Sequence, residues 1–420
     1  MNVLLIRPPD PLQHVKLLSH TKPLNLAYIA SYLIEKKINV KIIDYEIEPF
    51  AENKLLTVLK KFNPEVVGIS CLTPTVKNGG KICSVIKNHD RRIKTVAGGP
   101  HVSGLPLKTM EEFPDFDYGV FGEGEITFYE LCSRLKDAAD THDVKGIVYR
   151  ENGTIVQTAE RELIDDIDIL PFPARHLIDY DSVQAGHSAR GFSNEIRAAE
   201  VFTSRGCPYA CSFCAIQATF GRRVRFRDVH CIEEEIRECQ KRYNFNHIIL
   251  ADDTFTLDEK RAGKLCEIFG RSGIRSWNCD TRVNTVTKEL LKAMKNSGCM
   301  KVAYGVESGS QRIIDCIGKK ITIEQVKNAV HWTKEADIKH IEGNFIIGAD
   351  PSETMEDLTM TREMIMNLPW TFVSVTVIVP YPGTPVYKKM KDKNQIFTEE
   401  WEDFVMFGKT PKWRTDNFSA

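Results

Sequence analysis

"TSRGCPYACSFCAIQATFG", residues 203–221, places Cys207, Cys211 and Cys214 within eight positions and supplies no fourth cysteine nearby. Thiolates at this spacing suit an iron–sulfur cluster or a zinc ion. A structural zinc site closes with a fourth Cys or His, and the first histidine after the loop is His230, well beyond it. A four-iron cluster on three cysteines instead keeps one iron open to a small molecule. Gly206 and Pro208 flank the first cysteine and favour a wrapped loop over a helix. The loop directly follows an apolar run at 199–204, so it stands at the carboxyl end of a strand.

Working outward, the run at 199–204 is the first of six candidate strands, the others being 247–252, 276–281, 300–306, 340–347 and 372–379. Helical patterns fill the gaps, as at 258–271, where Ala262, Leu265, Cys266 and Phe269 form one stripe. Six β/α units predict a partial TIM-like (β/α)6 barrel over residues 198–390, with its chemistry at the carboxyl ends of the strands. The tail from 391 to 420 carries Trp401, Phe404, Phe407, Trp413 and Phe418 and is expected to cover the barrel.

Residues 1–150 show a second alternation, with strands and their turns at 2–9, 40–46, 66–70, 95–101 and 118–125. Between them lie helical faces such as Leu26, Ile29, Ala30 and Leu33. This pattern predicts a doubly wound, Rossmann-like α/β domain whose ligand sits at strand ends rich in Pro and Gly. Residues 151–197, with Pro171 and Pro173 among acidic side chains and a small, polar stretch at 184–195, read as a linker.

Composition narrows the class. The 420 residues carry 56 basic and 57 acidic side chains, a formal charge of −1, which gives no electrostatic reason to expect nucleic acid or an anionic membrane as partner. The apolar start is too short for a signal peptide, and no run is long enough to span a bilayer. A cytoplasmic protein is expected, its twelve cysteines reduced or metal-bound. Cys132, Cys239 and Cys316 share helix faces with apolar residues and read as core, as does Cys71 at a strand end, where a cobalt-ligand role is the alternative. Arg222 and Arg223 read as a solvated face.

The cysteine loop, with Phe213 before its third cysteine, resembles that of the radical S-adenosylmethionine (AdoMet) enzymes. The likeness continues at 250–258, 279–286, 304–315, 343–358 and 379–387, and the first 150 residues resemble the B12 (cobalamin)-binding domain fused to a large branch of those enzymes. The resemblance implies a [4Fe-4S] cluster on Cys207, Cys211 and Cys214 and AdoMet binding by Phe213, Asp252, Asp253, Thr254, Arg282, Glu307, Ser308 and Ile347. Asp252, Asp253 and Thr254 stand where the family has Gly-Gly-Glu, and Arg282 is the expected partner of the methionine carboxylate. Arg225 and Arg227 are expected to brace the cluster loop.

For cobalamin it implies Pro8, Pro9, Ser70, Leu72, Thr73, Thr75, Gly98, Gly99, His101, Gly122, Glu123, Gly124 and Glu125. Glu123 and Glu125 also suit a helix N-terminus. "DTHDVKG" (140–146) departs from the Asp-x-His-x-x-Gly pattern of a histidine lower ligand, so the expected lower face is Ser70 to Thr75, without a protein base. The implied activity is reductive cleavage of AdoMet to a 5'-deoxyadenosyl radical, driven by a flavodoxin- or ferredoxin-type electron donor, and methylation of an unactivated carbon of an unidentified small molecule or peptide. Ring formation, ring contraction or rearrangement with the same cofactors is the first alternative. A radical AdoMet enzyme with a vestigial B12 domain and a non-enzymatic cobalamin or redox sensor are the others.

Overall fold

The computed structural model describes residues 1–11, 22–180, 196–407 and 410–419; the polar stretch at 184–195 lies outside them. The first sheet holds β1 (Asn2–Arg7), β2 (Asn39–Asp44), β3 (Val66–Ser70), β4 (Lys94–Gly98) and β5 (Tyr118–Val120), parallel and in the order β2-β1-β3-β4-β5. The central strands β1 and β3 are near-continuous apolar runs because helices cover both faces. On one face pack α1 (Leu24–Glu35) and, further along, Phe128 and Leu131 of a helix described below. On the other pack α2 (Glu52–Phe62) and α3 (Val76–His89), through Leu55, Leu59, Ile82 and Ile86. Strand order reverses between β1 and β3, the switch point at which such sheets bind ligands.

Short helices α4 (Pro100–Gly104) and α5 (Pro106–Glu112) follow β4, and α6 (Gly124–Lys136) follows β5. The sheet then continues through an antiparallel hairpin, β6 (Ile147–Glu151) and β7 (Thr154–Gln157). Its turn is Asn152-Gly153, both at positive φ (49° and 83°), the conformation two-residue hairpins require. The start of the expected linker is therefore the last strand of this sheet.

A two-residue pair, β9 (Ser204–Arg205) with β10 (Arg225–Phe226), closes the base of the cysteine loop, just after β8 (Ala198–Val201). The second sheet is β8, β11 (His247–Leu250), β12 (Ser276–Thr281), β13 (Cys299–Glu307), β14 (His340–Ile347) and β15 (Phe372–Val377), all parallel and paired in chain order. Those are the six strands read from sequence, with ends shifted by up to three residues. α7 (Val229–Tyr243), α8 (Glu259–Arg271), α9 (Lys288–Asn296), α10 (Gln311–Cys316), α11 (Ile323–Glu335) and α12 (Met355–Asn367) connect them, and α13 (Pro385–Asp392) follows β15. No described helix is long and apolar enough to cross a membrane.

Cys71, Cys132 and Cys239 are fully buried, as expected. Cys316 is exposed, contrary to expectation: it ends the short α10, whose Ile313, Ile314 and following Ile317 take the inward positions. The tail reaches beyond the barrel that it was expected to cover. Trp401, Phe404 and Trp413 join the core of the first domain, with Val76, Ile82 and Phe116, while reaching Val379, Val386 and Met390 at the end of the barrel.

Candidate active site

The cysteine loop is anchored at both ends. Gly206 takes φ +88°, and a side chain there would collide with the Arg223 backbone. At the far end, the backbone N–H of Ser212 donates to Ile317 O at 3.0 Å. Cys211 is buried; Cys207 and Cys214 are partly open. Burial is the main force that pushes the Cys214 thiol up to about 11, and the neighbouring Cys211, Asp253 and Cys207 add to it. A Cys214 thiol that resists ionisation fits a cationic iron cluster, whose metal charge removes that cost. Among the described residues no three Cys, His, Asp or Glu side chains converge on one metal ion. In a cluster each cysteine binds its own iron, so such convergence is not required.

The sequence-selected AdoMet residues divide in two. Asp252 is buried and saturated, accepting from the backbone and hydroxyl groups of Thr203 (N–H at 2.6 Å) and Ser204 (N–H 3.1 Å, Oγ 3.0 Å). It braces the root of the loop and has no capacity left for an amine. Ser308 is likewise enclosed, its hydroxyl 3.2 Å from that of Thr361. Asp253 differs. It is exposed at its surface, and desolvation and the Asp252 charge lift its carboxyl to about 6. Thr254 Oγ1 lies 3.9 Å from Cys207 Sγ.

Arg282 stacks 3.5 Å over the Tyr209 ring, points Nη1 at Cys211 Sγ (3.8 Å) and donates to Lys319 O. Its guanidinium thus lies against the cysteine loop. Glu307 is held at φ +72° beside a register shift in β13, with its Oε1 paired to the ammonium of Lys319. Non-glycine residues rarely adopt that conformation, and such strain gathers at functional sites. Phe213 packs with Ile313, Ile317, Ala349 and Ile346 below the loop, and Ile347 ends β14.

The second feature is a cavity of about 370 Å³ at the switch-point end of the first sheet. Ser70, Leu72, Thr75, Gly98, Gly99, Gly122, Glu123, Gly124 and Glu125 line it, nine of the thirteen residues expected around cobalamin. Its opposite wall is Phe202, Arg205, Ile216, Thr219 and Phe220, from the cysteine loop and its approach. A side chain at Gly122 (φ +76°) would meet nothing within 4 Å, and one at Gly98 only Val120 O at 3.8 Å, so the strand ends offer bare backbone to a ligand. A slot with two walls and a glycine floor suits a flat macrocycle.

Four expected residues lie off the lining. Pro8 and Pro9 sit behind the β1 end, and Thr73 is buried. His101 is 1% exposed and turned beneath Trp401, ring centroids 4.9 Å apart, because Gly99-Pro100 starts α4 and points the next side chain inward. Glu123 and Glu125 reach the cavity, but their carboxylates face Arg205 and Arg225, a pairing that no sequence pattern announced. Cys71 lies away from the cavity, its thiol pushed up to about 12 by burial.

Comparison with known proteins matches residues 15–132 to the B12 binding domain and residues 201–365 to the Radical SAM superfamily. An uncharacterized methyltransferase of Pyrococcus horikoshii is 36% identical over 407 residues, 96% of this chain and 86% of that protein. The chain belongs to the B12-binding radical AdoMet enzymes. Within this family, the anaerobic magnesium-protoporphyrin IX monomethyl ester cyclase of Rubrivivax gelatinosus is 28% identical, covering 96% of this chain and 73% of its own. The fold is shared with the radical AdoMet methyltransferase TsrM of Kitasatospora setae, solved with cobalamin and a [4Fe-4S] cluster (TM-score 0.78, 18% identity, 93% of this chain and 78% of that one). As a B12-binding radical AdoMet enzyme, the protein uses a [4Fe-4S] cluster, AdoMet and cobalamin, and the cysteine loop and glycine-floored cavity fit the first and last of these.

Proposed function

We propose that this enzyme methylates an unactivated carbon of a substrate that enters between the cysteine loop and the cobalamin cavity. The observation that carries the reading is the shared cavity: residues of the cysteine loop form one wall of the slot whose other wall is the B12 domain. A methyl carrier and a radical generator that face one space suit methyl transfer to a carbon radical. The methyltransferase name of the 36% identical relative supports it further.

In this reading Cys207, Cys211 and Cys214 hold the cluster, and Asp253 receives the AdoMet amine. Glu307 offers Oε2 to a ribose hydroxyl while Lys319 fixes Oε1. Arg282 steadies the loop through Cys211 and Tyr209. When bound, the cluster supplies an electron for AdoMet cleavage and the cobalamin supplies methyl-transfer chemistry. The protein's own share is positioning and exclusion of water. A flavodoxin- or ferredoxin-type donor supplies the electron.

The test is anaerobic reconstitution with iron, sulfide and hydroxocobalamin, then reaction with AdoMet carrying a labelled methyl group and a reductant. Label recovered in the cobalamin fraction, together with S-adenosylhomocysteine, is expected. Formation of 5'-deoxyadenosine with no label transfer would instead favour ring formation, the reading that the cyclase relative supports.

A further inference from the structure

The family assignment leaves open how two cofactor sites in separate domains stay in register. Glu123 and Glu125, at the end of β5 and the start of α6, answer from the first domain, and Arg205 and Arg225 answer from the second. Arg205 donates Nη1 to Glu123 Oε1 (3.0 Å) and Nη2 to Glu125 Oε1 (2.6 Å). Arg225 donates Nη1 to Glu123 Oε2 (2.6 Å), and the Ile164 N–H reaches the same oxygen at 2.8 Å. Every side chain in this set is 7% exposed or less. The Arg205 guanidinium is further clasped between the rings of Tyr28 (5.4 Å) and Phe220 (5.2 Å).

Two features give this cluster a reach beyond ordinary domain packing. First, Arg205 is the residue before Gly206 and stands two before Cys207, and its strand β9 pairs with the Arg225 strand β10, so the four charges fix both stems of the cysteine loop. Second, Tyr28, Glu123, Glu125, Arg205 and Phe220 also line the cobalamin cavity. One buried cluster is therefore a wall of one site and the foundation of the other. Buried charges tolerate little displacement, because a carboxylate that loses its partner has no water to replace it.

We propose that Glu123, Glu125, Arg205 and Arg225 are positioning residues that couple the two sites, so that cluster assembly on the loop strengthens cobalamin binding and cobalamin binding reciprocally orders the loop. Linkage requires the coupling to run equally both ways.

The experiment measures binding and needs no substrate. Hydroxocobalamin affinity is determined by anaerobic titration for the full chain with its cluster reconstituted, and for a Cys207→Ala/Cys211→Ala/Cys214→Ala form that cannot build one. The expected ratio of dissociation constants is about fivefold or more in favour of the cluster-loaded form, at the lower bound of common coupling strengths. In E125Q and R205K the ratio falls towards one, and the cluster's electron paramagnetic resonance spectrum, taken with and without hydroxocobalamin, ceases to shift. Arg205→Lys keeps the charge but not the two-pronged contact, so it tests the geometry even where E125Q fails to fold. Equal affinities with and without the cluster in the unaltered loop-stem sequence would overturn the proposal. A full ratio that survives in R205K would do the same. Absent label transfer together with a preserved ratio would refute methyl transfer and leave the coupling intact.

Discussion

At the scale of single residues, His101 shows what the resemblance to cobalamin domains leaves unsaid. Its Nδ1 lies 3.3 Å from Thr73 Oγ1, its Nε2 has no hydrogen-bond partner among the described residues, and burial, with Lys108 adding, depresses its pKa to about 4. The folded state thus favours the neutral ring relative to the unfolded chain, where histidine titrates near ~6.5. Its stabilising share is fully present above that value and is lost as pH falls through about 4. Because the ring packs edge-on against Trp401, Trp401 fluorescence of the folded protein should change as pH falls through about 4, and His101→Gln should abolish the transition. An unchanged titration in the variant would assign it elsewhere. Asp253 carries a second test. Asp253→Asn should weaken AdoMet binding about tenfold or more, the loss of one charge-assisted contact (~1.5–3 kcal/mol), with cluster content unchanged. Equilibrium dialysis against labelled AdoMet reads it. The three cysteines stand out in the sequence because their spacing is itself the expected chemistry. The difference between Asp252 and Asp253 does not, since which of two adjacent carboxylates is consumed by Thr203 and Ser204 depends on how the loop root closes.

At the scale of elements, strands were the most legible feature. The β-branched runs of β3 and β14 lie in parallel sheets, so tertiary packing reinforces local preference. The β6–β7 hairpin was missed although Asn152-Gly153 signals it, because its strands are short and a prolyl, acidic segment follows at once. The linker's structural role was also hidden. Arg175 from the linker and Arg227 from beyond β10 both reach Glu235 on α7, and all three side chains are 5% exposed or less. Burial alone would raise the Glu235 carboxyl, but the two guanidiniums outweigh it and hold it below the ordinary carboxylate value. Glu235→Gln removes the countercharge from two buried arginines and should cost ~3–5 kcal/mol. Denaturant unfolding should show a lowered midpoint, whereas E238Q, whose partner Arg242 is largely exposed, should shift it by under ~1 kcal/mol.

At the scale of the whole molecule, the aromatic tail ties the two domains together. Its burial against the barrel was expected, but its reach into the first domain was not, because aromatic spacing says that a segment is buried without saying against what else. Trp401 rests on His101, donates to Glu112 Oε2 at 2.5 Å and lies 5.0 Å from the Lys108 ammonium, all in the first domain. Phe404 stacks between Trp401 and Trp413 with centroids at 5.4 and 5.7 Å. The contacts below Trp401 continue through Thr73 to Leu72 and Thr75 on the cavity wall. Trp401→Ala should therefore do two things that a distant core mutation would not do together. Loss of the buried indole should lower global stability by ~3–5 kcal/mol. The freed β3–α3 turn should also weaken hydroxocobalamin binding at temperatures where the protein is still folded, with iron content unchanged. Phe407→Ala, at a position 42% exposed, provides the comparison and should change neither. If W401A lowered stability but left cobalamin affinity intact, the tail would be a fastener only, and the cavity wall would owe its shape to the first domain alone.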